Sequence, residues 1–280
     1  MDAADLQRTL KARQHSLRPP PAIEVRGLEA HYGETQVLFG LDLSVESGEI
    51  MVIMGGSGSG KSTFLRHLIG LERPSAGTIR LLGRDTTHSS PLEMLELRRR
   101  IGVAFQGGAL FSSLSVAENI KLPLREHTRL DEKTMDIIAR MKLEVVNLSG
   151  FGDLMPSELS GGMLKRAAVA RAIATDPKLL FFDEPSAGLD PAVSSALDDL
   201  ILRLRDAMAM TIVVVTHEIE SAFKIADRIT ILDHGRIVEV GTPHQIRQSG
   251  NERIQNLLNR RAEEPRIDPA AYLRRLAGEG

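Results

Sequence analysis

The stretch EIMVIMGGSGSGKSTFLRHLIGL, residues 49–71, decides the fold class of this chain. Its first part is an apolar run that includes β-branched residues, which is typical of a buried strand. Glycines then break the strand, and the segment from Lys61 onward has helical character. A strand, a glycine loop and a helix in this order predict the opening of a βα unit, the building block of parallel sheets.

The glycine-rich middle of this stretch is a complete phosphate-binding motif. Residues 55–62, GGSGSGKS, match the pattern G-x-x-x-x-G-K-[ST] at every fixed position. Glycines let backbone N–H groups turn toward phosphate oxygens, a lysine neutralises charge, and a hydroxyl can bind Mg²⁺. A plain glycine-rich turn is the alternative, and a chance match is expected on the order of one time in a hundred. The residues predicted to hold a nucleotide are Gly55, Gly56, Ser57, Gly58, Ser59, Gly60, Lys61, Ser62 and Thr63.

Outward from this motif the chain keeps an α/β pattern. KLLFFDEP (178–185) and IVVVTHE (212–218) are short apolar runs typical of buried strands, with helical segments between them. GTIRLLGRD (77–85) predicts one further strand, and RITILDHGRIVEVG (228–241) predicts a hairpin that turns at His234-Gly235. Buried strands that alternate with helices predict an α/β fold with a mainly parallel core sheet.

Composition excludes several classes of protein. The chain has 280 residues, with 35 Lys and Arg against 37 Asp and Glu, so no basic excess indicates a nucleic-acid partner. It has no cysteine, which excludes disulfides and thiol-ligated metals. Its longest apolar runs are too short to span a bilayer, and residues 1–21 lack the apolar core of a secretory signal. We therefore expect a soluble protein whose membrane role, if any, depends on a partner.

Two strand ends carry candidate catalytic groups. Asp183 and Glu184 follow the apolar run LLFF, at the edge where open α/β sheets bind ligands. Asp183 would hold Mg²⁺ and Glu184 would polarise a water for attack on the γ-phosphate. His217 ends the IVVV strand and would contact the γ-phosphate or the attacking water. The alternatives are an ordinary acidic pair at a strand end and a structural histidine.

Two further residues are weaker candidates. Gln106, in IGVAFQGG, follows a short apolar strand, and its amide oxygen would ligand Mg²⁺ or orient water. Tyr32 precedes the first turn and would stack on an adenine. Read alone, Gln106 is better explained as a polar residue at the start of a loop, and Tyr32 is equally well explained as a core or surface aromatic.

The segment ELSGGMLKR, residues 158–166, predicts a second anion site. Ser160 is expected at the N-cap of a helix whose first two residues are Gly161 and Gly162. Met163 stands where a capping box would have Glu, so we expect an uncapped helix end with exposed N–H groups. Because the phosphate loop already holds one triphosphate, this end is predicted to bind a nucleotide held by another copy.

These motifs resemble the ABC-type ATPase family over residues 22–245. GGSGSGKST resembles its Walker A loop, LLFFDE its Walker B strand, LSGGM its signature, SAGLD its D-loop and TH its switch histidine. The resemblance implies an antiparallel β subdomain, a helical subdomain at about 88–165, ATP with Mg²⁺, and a head-to-tail homodimer that encloses two ATPs. It implies these roles: Gln106 as Q-loop glutamine, Glu184 as general base, His217 as switch, Tyr32 as adenine-stacking aromatic and Asp190 as D-loop aspartate, with Ser62, Gln106 and Asp183 around Mg²⁺.

The branch of the family is indicated by Met163, which replaces the usual glutamine of LSGGQ, and by FQGGALFSSLSVAENIKLPLREHT (105–128). Both resemble the Mla/Mce branch, which energises phospholipid movement between bacterial inner and outer membranes. The resemblance implies a peripheral subunit on the cytoplasmic face of the inner membrane. Its implied partners are an MlaE-type permease docked in a groove that includes Phe111 and Leu114, an MCE-domain protein and a STAS-domain subunit. The alternatives are an ABC transporter for another substrate, a soluble ABC ATPase that acts on nucleic acid or the ribosome, and a small-molecule kinase.

The two ends of the chain lie outside this resemblance. Residues 1–21 are predicted to be a solvated lead-in, and residues 246–280 an appended tail. In the tail, Ile254, Leu257 and Leu258 form an apolar stripe. The stripe would contact a partner or the other protomer, or it would belong to a helix packed against its own chain.

Overall fold

The computed structural model describes residues 20–259, which form two sheets and the helices around them. The strands are β1 Ile23–Tyr32, β2 Thr35–Val45, β3 Ile50–Met54, β4 Ala76–Leu81, β5 Arg84–Asp85, β6 Ile101–Ala104, β7 Leu179–Asp183, β8 Thr211–Thr216, β9 Arg228–Asp233 and β10 Arg236–Gly241. The helices are α1 Lys61–Leu68, α2 Pro91–Arg98, α3 Val116–His127, α4 Glu132–Val145, α5 Gly161–Ala172, α6 Pro191–Met208, α7 Ile219–Ile225, α8 Pro243–Arg247 and α9 Glu252–Leu258.

The core sheet has six strands in the order β10-β9-β3-β8-β7-β6. All its pairs are parallel except the hairpin β9-β10, as predicted from the sequence. Side chains of β3 alternate between two hydrophobic cores, with Ile50, Val52 and Met54 in one and Met51 and Ile53 in the other. The sheet is therefore buried on both faces, which explains why its strands read as continuous apolar runs.

The second sheet is antiparallel, with the order β2-β1-β4-β5. It corrects one prediction: residues 77–85 form a hairpin, β4-β5, rather than one strand. Leu82 and Gly83 both have positive φ, 50° and 79°, which produces a tight two-residue turn. Leu82 is a poor residue for that backbone, so the apolar pattern concealed the turn.

Helices α2, α3 and α4 and the start of α5 fall within residues 88–165, the predicted helical subdomain. Strand β6 of the core sheet also lies in this range, between α2 and α3, and the bounds of the subdomain stay a prediction. Helices α3 and α4 are joined by Lys121, whose buried Nζ lies 2.6 Å from Glu118, 3.3 Å from Glu132 and 2.7 Å from Asp136. Within residues 20–259, no helix combines the length and apolar character that crossing a bilayer requires.

The C-terminal helices pack against the main body of the chain. Ile246 of α8 and Ile254 of α9 are fully buried in the larger core, and Leu257 and Leu258 pack against it. Of the two alternatives for the apolar stripe, the structure shows for Ile254 a helix packed against its own chain. This packing favours an end of the ATPase domain at or after Leu258, although the domain boundaries stay predictions. Most of the predicted lead-in, and residues 260–280 of the predicted tail, lie outside the described residues.

Candidate functional site

The phosphate loop lies between the buried strand β3 and helix α1. Gly60 is the N-cap of α1, with φ 101°, and it provides no side chain to satisfy the first N–H groups. The first turn of the helix has no acidic residue, so its positive end is not neutralised locally. The loop therefore presents backbone donors and a helix dipole to an anion, as the sequence predicts.

Two glycines of this loop are required by close contacts. A Cβ on Gly55 would lie 2.2 Å from the carbonyl oxygen of Leu232 in β9. A Cβ on Gly60 would lie 2.9 Å from the Leu38 side chain of β2, in addition to the strain of its positive φ. The loop is thus clamped between the core sheet and the antiparallel sheet.

Lys61 and Ser59 are polar groups whose surroundings fit a phosphate ligand. The buried Lys61 donates from Nζ to the carbonyl oxygens of Gly55 and Gly56, at 2.9 and 2.8 Å. Burial lowers the pKa of Lys61, while the Glu184 and Asp183 carboxylates oppose that shift. Ser59 Oγ is buried without a hydrogen-bond partner in the described part of the chain. A bound anion would supply both groups with a partner.

The carboxyl ends of neighbouring parallel strands bring the other candidates to the same edge. Strand β8 pairs with both β3 and β7, and β7 pairs with β6. His217 follows β8, Asp183 and Glu184 lie at the end of β7, and Gln106 comes two residues after β6. The order across the edge is therefore phosphate loop, His217, Asp183 with Glu184, and Gln106. These are the residues that the sequence predicts for catalysis and for Mg²⁺.

Glu184 and His217 are in direct contact at this edge. His217 Nδ1 lies 2.8 Å from Glu184 Oε2, and the His217 backbone N–H donates to the same oxygen at 3.4 Å. Glu184 has φ 47°, which is unusual for a residue with a side chain, and its N–H donates to the carbonyl of Val215 at 2.8 Å. Its side chain is 13% exposed and that of His217 is 55% exposed. A strained backbone thus aims a nearly buried carboxylate at an accessible imidazole, an arrangement often found at functional sites.

Asp183 is the candidate metal ligand at the end of β7. Burial raises the pKa of Asp183, and the charge of Glu184 raises it further, while Arg66, Lys165 and Lys61 lower it. Residues 20–259 contain no cluster of three or more His, Cys, Asp or Glu side chains that could hold a metal ion. Asp183 shares the sheet edge with Ser62 and Gln106. One carboxylate with a hydroxyl and an amide fits Mg²⁺, which in such sites is bound largely through substrate phosphates and water.

Tyr32 lies at the end of β1, on the α1 side of the site. Its hydroxyl donates to Glu72 at 3.0 Å and accepts from Arg66 Nη1 at 3.3 Å. The residue is 45% exposed. The hydroxyl is therefore anchored to a residue of α1 while the ring keeps contact with solvent, a geometry compatible with the predicted stacking on a base.

The predicted second anion site is the first turn of α5. Ser160 is the N-cap, and its Oγ accepts from the Met163 N–H at 3.3 Å, so the expectation of an uncapped end is wrong in this respect. Ser160 and Gly161 are exposed, and Met163 packs against the larger core. No hydrogen bond joins Ser160, Gly161 or Gly162 to the phosphate loop in the portion of the chain that the structure describes. Within one chain these two candidate anion sites are therefore not brought together by direct bonds.

Asp190 serves as the N-cap of α6. Its Oδ1 accepts from the N–H groups of Ala192 and Val193, both at 3.1 Å. Val193 also lies against the first turn of α5, because a Cβ on Gly162 would come within 2.6 Å of its Cγ1. The D-loop and the signature segment are thus packed together, and a nucleotide role for Asp190 stays a prediction.

Two cations of α5 contact the site and were not predicted from the sequence. Lys165 donates from Nζ to the carbonyl oxygens of Gln106 and, at 3.3 Å, of Glu184. Arg171 donates to the carbonyls of Ala109 and Gly108, at 2.6 and 3.1 Å. Burial lowers the pKa of both cations. The sequence offered one signal for them: charged residues flank the buried apolar run 167–170, and a charged group beside buried apolar residues requires a polar partner.

The two sheets carry a phosphate loop, a buried acidic strand end beside a histidine, and a second helix that begins with glycines. Together these features define an ATP-hydrolysing P-loop enzyme of the ABC type. Comparisons with known proteins agree. The family model described as ABC transporter matches residues 38–187, which is more than half of the chain. The chain belongs to the ABC transporter family.

Individual relatives show how far the similarity extends. The chain is 43% identical to "Intermembrane phospholipid transport system ATP-binding protein MlaF" of Haemophilus influenzae, over 87% of this chain and 92% of that protein. It is 42% identical to "Sulfate/thiosulfate import ATP-binding protein CysA" of Synechococcus elongatus, over 80% of this chain and 63% of that protein. A solved dimeric post-hydrolysis state of an ATP-binding cassette, bound to ADP and Pi, matches with a TM-score of 0.73 and 30% identity, over 79% of this chain and 98% of that chain.

Proposed function

We propose that this chain is the motor subunit of a transporter that moves phospholipid between the inner and outer membranes of a Gram-negative bacterium, in an MCE-type system. The observation that carries the proposal is the 43% identity to a phospholipid transport ATPase over 92% of that protein's length. An ABC transporter for another substrate is the second candidate, supported by the 42% identity to a sulfate import protein. Because that match covers only 63% of the import protein, the phospholipid system is favoured.

The phosphate loop would bind the ATP triphosphate. Backbone N–H groups of residues 56–60 and the N-terminus of α1 would surround the β-phosphate, with Lys61 released from its carbonyl partners to neutralise charge. The exposed ring of Tyr32 would stack on the adenine. Ser62, Gln106 and Asp183 would hold Mg²⁺, which supplies charge neutralisation on the β- and γ-phosphates.

Hydrolysis would depend on the pair Glu184 and His217. Glu184 Oε2 is engaged by His217, so Oε1 is the oxygen that would accept a proton from the attacking water. His217 has a largely exposed ring, so it would hold the carboxylate and donate toward the γ-phosphate when ATP is bound.

The ATP site would be completed by a second copy of the chain in a homodimer. Ser160, Gly161 and Gly162 form a helix start that is exposed at Ser160 and Gly161, and in the described structure it has no hydrogen bond to the phosphate loop of its own chain. We propose that they close on the γ-phosphate held by the partner protomer, with Asp190 alongside. A solved cassette of similar fold is dimeric, which supports this arrangement.

The transporter partners would include an MlaE-type membrane permease. A groove of about 350 Å³ adjoins β6 and α3 and is lined by Phe111, Leu122 and Pro123, with Arg98 and Arg171 at its polar side. Leu114 is not among its lining residues, so we assign the permease contact to Phe111 and not to Leu114. An MCE-domain protein and a STAS-domain subunit complete the proposed complex. The chain would be peripheral on the cytoplasmic face of the inner membrane, and the charge balance gives no reason to expect nucleic acid.

The substitution Glu184→Gln tests the catalytic assignment. The variant keeps the shape of the side chain and loses the base, so we expect ATP binding to persist while hydrolysis falls by about two to four orders of magnitude. Steady-state hydrolysis and binding of a fluorescent ATP analogue measure the two effects. Light scattering should show an ATP-stabilised dimer in this variant, and Ser160→Arg should abolish it. Unchanged hydrolysis in Glu184→Gln would refute the assignment, and a monomer with ATP bound would favour a small-molecule kinase.

The proposed substrate requires a separate test. The ATPase would be co-purified with its membrane partner and reconstituted in liposomes that contain a labelled phospholipid. Phospholipid movement that requires ATP and fails in Glu184→Gln would support the proposal. A complex that moves sulfate or another solute instead would favour the second candidate. Association with ribosomes or nucleic acid instead of a permease would favour a soluble ABC ATPase.

A further inference from the structure

Lys165 occupies an unusual position between two segments of the candidate site. It lies in the second turn of α5, and its Nζ donates to the carbonyl oxygen of Gln106 and to that of Glu184. Gln106 follows β6 and Glu184 follows β7, and those two strands are neighbours in the core sheet. One ammonium group therefore joins a helix of the predicted helical subdomain to two strand ends of the core.

These two carbonyls belong to the residues whose side chains the proposed mechanism uses. At Glu184 the φ of 47° sets the direction of the carboxylate, so a hydrogen bond on the carbonyl of the same residue restrains that direction. Gln106 is exposed and lies in a turn, and its carbonyl accepts the Lys165 hydrogen bond. Movement of Lys165 would therefore displace the backbone of both residues.

Arg171 provides a second attachment between the same helix and the same loop. It donates to the carbonyls of Gly108 and Ala109, both of which have positive φ, 73° and 49°. Helix α5 thus holds the segment 106–109 at both ends through cations on carbonyl oxygens. Of these two cations, only Lys165 also donates to Glu184.

The other end of α5 is the proposed contact with the partner's nucleotide. Ser160 and Lys165 are five residues apart, which corresponds to about 7.5 Å along a helix. A helix transmits a rigid shift over that distance because its backbone hydrogen bonds are satisfied internally.

We propose that Lys165 is a positioning residue that couples the partner-facing end of α5 to Gln106 and Glu184 of its own chain. This inference rests on the proposed function. When Ser160, Gly161 and Gly162 engage the nucleotide of the partner, the shift of α5 reaches Glu184 through Lys165. Each protomer would then align its own catalytic carboxylate only when it also closes on the partner's ATP.

The test compares Lys165→Met, Lys165→Arg and, as a matched control, Lys133→Met at an exposed lysine of α4. Lys165→Met keeps much of the side-chain length and removes the donors, so we expect kcat to fall about tenfold or more. KM and the affinity for a fluorescent ATP analogue should stay within about twofold, because Lys165 does not contact the phosphate loop. Lys165→Arg restores donors and should recover most of kcat, and Lys133→Met should match the parent protein.

A second measurement separates coupling from closure. In a Glu184→Gln background, Lys165→Met should still form the ATP-stabilised dimer, because the helix end that contacts the nucleotide is intact. Loss of that dimer, loss of ATP affinity, or a kcat within twofold of the parent would overturn the inference. If Lys165→Met does not fold, Lys165→Gln replaces it in the comparison. A folded but inactive Lys165→Gln together with an equally inactive Lys165→Arg would also overturn the inference. Unchanged hydrolysis in Glu184→Gln alone would instead refute the proposed function.

Discussion

The turn at Gly235 links the phosphate loop to strand β2, and we predict that this link stabilises the fold. Its N–H donates to the carbonyl of Ser59 at 2.9 Å, and its carbonyl accepts from the N–H of Phe39 at 2.9 Å. A Cβ at Gly235 would lie 1.9 Å from the carbonyl oxygen of Val37, where real Cβ contacts are essentially never below 3.0 Å. In Gly235→Ala the turn and β2 must therefore separate by at least about 1 Å, since neither the backbone oxygen nor the turn can rotate away.

The expected cost is the sum of backbone strain and lost bonds. A left-handed conformation costs alanine about 1–2 kcal/mol. Both hydrogen bonds of Gly235 would be lost or lengthened by the separation, at about 1 kcal/mol each. We expect Gly235→Ala to lower the free energy of unfolding by about 3–4 kcal/mol, a large share of the 5–15 kcal/mol of a typical domain.

Gly40→Ala provides the matched control. Gly40 has the same φ as Gly235, 69°, and a Cβ there would meet nothing within 4 Å. It should therefore show the strain alone, about 1–2 kcal/mol. Urea unfolding of both variants, with equal m-values, measures the difference. ATP-analogue binding should weaken in Gly235→Ala, because Ser59 loses its support, and should stay near the parent value in Gly40→Ala. A stability difference below about 1 kcal/mol between the two variants would refute the reasoning.

Two further predictions concern other contacts. Gly162→Ala would place a Cβ 2.6 Å from Val193 Cγ1, and overpacking of this kind costs about 1–3 kcal/mol of stability. In a double-mutant cycle measured by urea unfolding, adding Val193→Ala should recover most of that loss. Additive effects of the two substitutions would contradict the contact. Burial raises the pKa of Asp198, partly offset by a hydrogen bond from Ser221 and the charge of Lys224. Because the folded chain holds this proton more tightly than the unfolded chain, the parent loses stability as pH rises above the carboxyl's ordinary range. The stability of Asp198→Asn relative to the parent should therefore increase between about pH 4 and pH 7. A constant or decreasing difference in urea midpoints would contradict this.

The sequence predicted the fold class and most of the strands because their physical causes are local. Buried parallel strands require continuous apolar runs, and the glycines, lysine and serine of residues 55–62 are dictated by phosphate chemistry itself. The hairpin at His234-Gly235 was predicted correctly for the same reason, whereas the β4-β5 turn was missed because Leu82 is not a turn-forming residue. The helix start at Ser160 was also correct, but its capping bond to Met163 was not expected.

Only the tertiary structure decided which residues that lie far apart in the chain contact each other. Lys165 and Gln106 are 59 residues apart, and their bond depends on how α5 packs against β6 and β7. Gly235 contacts β2 and the phosphate loop only because β9 lies beside β3 in the core sheet. Local patterns determine which elements form and what chemistry each offers. The order of strands and the packing of helices determine which of those groups meet, because that choice depends on the burial of the whole core and not on any one segment.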